Sequence, residues 1–171
     1  GSQFARIKLQ SGVSLEQALE TYRNDPAVAA VSPNYLRHPS LTPNDTSFGQ
    51  LWGMHNTGQT ISSAVYATNN PGTADADVDA PEAWDVQTGS TGVVVAVIDT
   101  GVDYTHPDLS GAMWDGSGSG YPNYGYDFAD SDNDPYPFNS EHGTHVAGTI
   151  AATGDNALGV TGAAYGVKIM A

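Results

Sequence analysis

The chain has 171 residues, with 19 Asp and Glu against five Lys and Arg, a formal charge of −14, and no cysteine. That balance repels nucleic acid and anionic membranes, excludes disulfides and thiolate metal sites, and supplies the hard oxygen ligands that calcium takes. No stretch approaches the roughly 18–20 apolar residues of a membrane span, and no signal-peptide pattern stands in the sequence.

Residues 4–9 alternate, with Ala5, Ile7 and Leu9 on one side and Arg6 and Lys8 on the other, the period of a half-buried strand. Gly12 breaks the pattern. Ser14 and Gln17 have capping-box spacing, and Leu15, Ala18, Leu19 and Tyr22 recur on one helical face. Pro26 ends the helical region, and residues 28–31 read as a second strand, so residues 4–36 are predicted to be a compact β-α-β piece. Residues 38–47 form a polar, Pro-containing linker, and 56–80 a second loop-like stretch. Between them, Trp52 and Met54 are expected to be a packed anchor.

Residues 93–98 read Val-Val-Val-Ala-Val-Ile between Gly92 and Gly101. A continuous apolar run of this length predicts a strand buried on both faces, as in the parallel sheets of α/β proteins. Residues 142–152 predict a helix of small residues with Val146 and Ile150 four apart, and residues 167–170 begin another strand.

Asp99 directly follows the apolar strand, where ligands bind in open α/β sheets; an Asx-turn closing the strand is the structural alternative. His142 opens Glu141-His-Gly-Thr-His-Val-Ala-Gly148. A buried carboxylate partner there would offset the helix dipole, which disfavours imidazolium, and fix the tautomer; a solvated or hydrogen-bonded histidine is the structural alternative. Zinc is a poor rival, because His142 and His145 are three apart, whereas the zinc-protease helix spaces its histidines four apart with a Glu between.

These two segments carry a specific resemblance. Val-Ile-Asp-Thr-Gly-Val-Asp-Tyr-Thr-His-Pro-Asp-Leu at 97–109 resembles the catalytic-Asp segment of the subtilisin-like serine proteases, and His-Gly-Thr-His-Val-Ala-Gly-Thr at 142–149 their catalytic-His segment. The order Asp then His is that family's order. Residues 4–36 look like the second half of the family's inhibitory propeptide, with Val31-Ser-Pro-Asn-Tyr35 at its end, and 41–48 like the mature start of the thermitase-like branch. The resemblance implies an α/β fold: a partial parallel sheet with helices on both faces, after the small β-α-β piece. It divides the chain into a pro-segment at 1–39 and the N-terminal half of a catalytic domain at 40–171. It assigns Asp99 and His142 to an Asp-His-Ser triad whose Ser motif, like the Asn of the oxyanion hole, has no match in these residues.

Asp127, Asp130, Asp132 and Asp134 lie within eight residues and repel one another unless solvated or bridged by a cation. An EF-hand loop counted from Asp130 fails, because Pro135 stands where the turn needs Gly. In thermitase-like relatives this loop resembles a calcium site, with Asp127, Asp130 and Asp132 as ligands and Asp134 beside them. The resemblance implies a second calcium site from Asp45, Asp108 and Asn156, with main-chain carbonyls of Thr153, Leu158 and Val160.

The expected function is a calcium-stabilised serine endopeptidase, secreted, acting on protein or peptide substrates, with no nucleic-acid or membrane partner. The 171-residue chain alone is expected to be inactive and to self-associate or to require a complementing C-terminal half. The alternative is a non-catalytic calcium-binding module that reuses the fold.

Overall fold

A computed structural model describes residues 5–33, 41–60 and 72–171. Phe4, the 34–40 end of the expected pro-segment with the first part of the linker, and residues 61–71 of the second loop lie outside the described residues. The chain divides into two compact units, Gly1–Pro39 and Ser40–Ala171.

In the first unit the expected helix forms as α1, Leu15–Arg23. Its capping box is closed both ways: Gln17 N–H donates to Ser14 Oγ and Ser14 N–H to Gln17 Oε1, each at 3.2 Å. Ala18 is buried on its inner face. The two strands expected at 4–9 and 28–31 do not form. A period-two pattern becomes a strand only when another backbone pairs with it, and neither segment has a ladder partner among the described residues. Ile7 therefore remains 53% exposed.

The second unit holds a two-stranded parallel sheet. Strand β1, Val94–Ala96, pairs with β2, Lys168–Met170, in the register Val94↔Lys168, Val95↔Ile169 and Ala96↔Met170. The far edge of β2 is also engaged: Trp114 N–H donates to the Ile169 carbonyl, and Ala171 N–H to the Tyr124 carbonyl. Helix α2, Ala80–Trp84, precedes β1, and helix α3, His142–Ala151, lies in the crossover between the two strands. Helix α3 packs into the core beside β2 through Ala147 and Ala151, whose small size lets the helix approach closely, with Val146 and Ile150 at the flanks. Val97, Val102, Leu109, Met113 and Ile169 complete that core.

Two expectations are corrected here. The run at 93–98 is buried on one face only: Val95 and Val97 point inward, while Val94 is 42% and Ile98 96% exposed. Helix α3 covers one side of the sheet, and no described element covers the side of Val94, Ala96 and Ile98. The packed anchor is also different. Trp52 is 56% exposed, and it is Trp84 that is buried, packed between a tilted Phe48 ring and an edge-on Tyr165 ring, with Nε1 donating to the Ala163 carbonyl at 3.0 Å. An indole buries where its N–H finds a partner. Met54 does pack against this second cluster.

Candidate active site

The parallel pairing of β1 ends at Ala96, and the chain leaves the sheet through Val97, anchored in the core, to Asp99 at the carboxyl end of the strand. Gly101 then turns the chain with φ +93°; a side chain there would strike the Pro135 carbonyl oxygen. Gly143, the second residue of α3, lies against the Gly101 carbonyl so closely that a Cβ would collide with it. The helix start is thereby brought onto the strand end.

The result is a contact between Asp99 and His142. His142 Nδ1 lies 2.7 Å from Asp99 Oδ1 and 2.9 Å from Oδ2. Oδ1 also accepts the Thr100 N–H at 2.7 Å. The Asp99 side chain is 17% exposed and the His142 ring 67%. The hydrogen bond from His142, and after it the one from Thr100, hold the Asp99 carboxyl below its ordinary value. With the carboxylate accepting at Nδ1, that nitrogen carries the proton, and the exposed Nε2 is left as an acceptor. Among the described residues no serine hydroxyl bonds to Nε2.

Sequence reading did not single out Thr100 or Thr144. The Thr100 hydroxyl accepts the Gly143 N–H at 3.0 Å and donates to the Ser140 carbonyl at 3.2 Å. Thr144 Oγ1 accepts the Asp103 N–H at 2.9 Å. Both residues stand inside the quoted motifs, but their partners are about forty positions away in the chain.

The acidic loop is not gathered. Asp127 Oδ1 accepts the N–H groups of Ala129 and Asp130, Asp132 Oδ1 accepts Asp134 N–H, and Asp134 Oδ1 accepts the Tyr104 hydroxyl. These are turn and loop contacts that engage one oxygen each of Asp127, Asp132 and Asp134. Among the described residues no three His, Asp or Glu side chains converge as a metal site. The residues in this loop therefore do not fit an ion as they stand.

Asp45, Asp108 and Asn156 do come together, through the loop 153–161. Asp155 N–H and Thr161 Oγ1 donate to Asp45 Oδ2 at 2.7 and 3.0 Å, while Asn156 Nδ2 and Val160 N–H donate to Asp108 at 2.8 and 2.9 Å. Thr153 N–H caps the Asp108 carbonyl at 2.8 Å, and Leu158 N–H donates to Asn156 Oδ1 at 2.8 Å. Gly159 abuts Asp108 Oδ2 so closely that a Cβ there would overlap it. Asp45 and Asp108 are 5% and 3% exposed, and neither has an ion-pair partner among the described residues. Asp45 Oδ1 is buried with no hydrogen-bond partner at all. Two buried carboxylates without a countercharge, one with an orphaned oxygen, fit a cation.

Comparison with known proteins places these residues among proteases. The model described as the subtilase family matches residues 90–171. The chain is 41% identical to the thermophilic serine proteinase of Bacillus sp. (strain AK1) over 92% of its own length and 32% of that protein. It is 36% identical to an extracellular protease of Xanthomonas campestris, over 85% of its length and 25% of that protein. The solved structure of the Aeromonas sobria serine protease in complex with its chaperone superposes with a TM-score of 0.62 at 30% identity, covering 76% of this chain and 20% of that one. The chain thus spans about a third or less of the length of the curated relatives named here.

Proposed function

The chain belongs to the subtilase family, and from that premise we propose that it is the Asp- and His-bearing portion of a secreted serine endopeptidase. The observation that carries the proposal is the double contact of Asp99 with His142 Nδ1, which leaves Nε2 free on an exposed ring.

In this reading a serine hydroxyl supplied by sequence outside these residues attacks the peptide carbonyl. His142 Nε2 takes the hydroxyl proton as the C–O bond forms, and returns it to the amine nitrogen as the C–N bond breaks. Asp99 keeps the proton on Nδ1 and stabilises the imidazolium between the two transfers. Water repeats the sequence on the acyl-enzyme. The 171-residue chain alone does none of this, because a triad acts as a unit and loss of the serine costs about as much as loss of all three members.

Calcium belongs to the proposal at Asp45, Asp108 and Asn156, where main-chain carbonyls of Thr153, Leu158 and Val160 would complete an oxygen shell. Its chemistry there is neutralisation of buried negative charge. Residues 4–36 are proposed as a pro-segment and 38–44 as the processing region. Secretion is supported by the relatives named extracellular protease and extracellular basic protease.

The test is an assay of the protein expressed from its whole coding sequence. Casein hydrolysis that is blocked by a serine-directed covalent inhibitor, and lost in His142→Ala, is the expected result. Folded protein without inhibitor-sensitive hydrolysis overturns the proposal.

A further inference from the structure

The first turn of an α-helix leaves its N–H groups without intrahelical partners. In α3 the N-cap residue, Glu141, makes no side-chain capping bond. The Gly143 N–H is instead taken by Thr100 Oγ1 at 3.0 Å, from a loop 43 residues earlier, and the same hydroxyl passes its own proton to the Ser140 carbonyl at 3.2 Å. One side chain therefore joins the residue after Asp99 to both flanks of His142. Thr100 also donates its backbone N–H to Asp99 Oδ1 at 2.7 Å, so its two polar groups hold the two halves of the Asp99–His142 contact separately.

We propose that Thr100 is a positioning residue: its hydroxyl caps α3 from outside the helix and sets the distance between Asp99 and His142. The assignment rests on the proposed peptidase reading for its purpose, but not for its geometry. A hydroxyl is required because the group must accept from Gly143 and donate to Ser140 at once. Valine has the same shape and can do neither, while serine can do both.

The experiment uses this 171-residue chain and its Thr100→Val and Thr100→Ser variants. Amide hydrogen exchange is read at Gly143, and the ring N–H resonance of His142 bound to Asp99 is read by NMR. Thr100→Val is expected to speed Gly143 exchange about tenfold and to broaden or remove the ring N–H resonance. Thr100→Ser is expected to restore both. If Thr100→Val does not fold, Thr100→Ser decides: a folded serine variant lacking the ring resonance overturns the assignment. A folded valine variant with unchanged exchange and resonance does so as well. Failure of the peptidase reading shows separately, as absent hydrolysis by the whole protein with these signals intact.

Discussion

Asp99 meets His142 Nδ1 with both carboxylate oxygens, at 2.7 and 2.9 Å. An amide in place of the carboxylate would present a donor to a ring nitrogen that already carries a proton, forcing the other tautomer. In the nucleophile-bearing protein, Asp99→Asn is expected to lower kcat by about 10⁴-fold with the fold intact. A drop of less than about tenfold in a steady-state assay near neutral pH would remove Asp99 from the proposed triad.

The same contact predicts an acid dependence. Asp99 is held below the ordinary carboxylate value of 3.8, first by His142 and then by the Thr100 N–H. A depressed carboxyl contributes stability that is present above its unfolded value and lost as pH falls through the folded one. Thermal melts below pH 3.8 should therefore fall more steeply for the wild-type chain than for Asp99→Asn. Parallel slopes would mean that the contact does not persist in solution.

Tyr104 gives an alkaline counterpart. Its ring sits between Tyr124 and Tyr136, with centroids 5.3 and 5.4 Å away, and its hydroxyl donates to Asp134 at 2.8 Å. Burial first, and then Asp134, push the phenol up to about 12. A raised group stabilises below its unfolded value and ceases to do so as pH rises through the folded one, which here places the loss between 10 and about 12. Among the nine tyrosines, ultraviolet titration should show a late phenolate step that Tyr104→Phe removes. A Tyr104→Phe titration superimposable on wild type refutes this.

Calcium should raise the melting temperature of the chain, by the equivalent of roughly 2.7 kcal/mol at 100 times its dissociation constant. The response should vanish in Asp45→Asn, which alters the orphaned oxygen, and survive in Asp127→Asn, whose carboxylate is occupied by the N–H groups of Ala129 and Asp130. Melting curves that ignore both calcium and chelator sink the cation proposal. Loss of the response in Asp127→Asn alone would relocate it.

The processing proposal is checked by intact-mass measurement of the secreted protein. Its mature N-terminus is expected between Pro39 and Asn44, in a polar stretch of the kind that proteases reach. A secreted form that still begins near Phe4 contradicts it.

The local forms of Asp99 and His142, strand end and helix start, could be read from their immediate neighbours, whereas their meeting across 43 positions was legible only through the resemblance of the two segments to the family's motifs. Helix α1 was readable from near neighbours too, since Ser14 and Gln17 cap each other across three residues. What was not readable depends on remote partners. Residues 5–9 have a strand's alternation but no backbone to pair with among the described residues. Val94 and Ile98 have a core strand's composition, yet face the side of the sheet that no described element covers. Trp52 and Trp84 are equally apolar, and it is Trp84 that finds the remote partners, Tyr165 and the Ala163 carbonyl, that go with burial. Four clustered aspartates suggested a cation, but nearby turn amides and one phenol engage one oxygen on each of three of them.

The pairing of Val94 with Lys168 has a kinetic consequence. It closes a loop of about 74 residues, whereas the Asp99–His142 contact closes 43, a difference in chain entropy of only about 0.5 kcal/mol. Entropy therefore barely ranks the two events, but both are far less local than the winding of α3, which needs neighbours no more than a few positions away. Contacts so distant in sequence slow the search for the native state. At ten residues α3 is too short to persist by itself, so helix, sheet and carboxylate–imidazole contact should appear together during refolding.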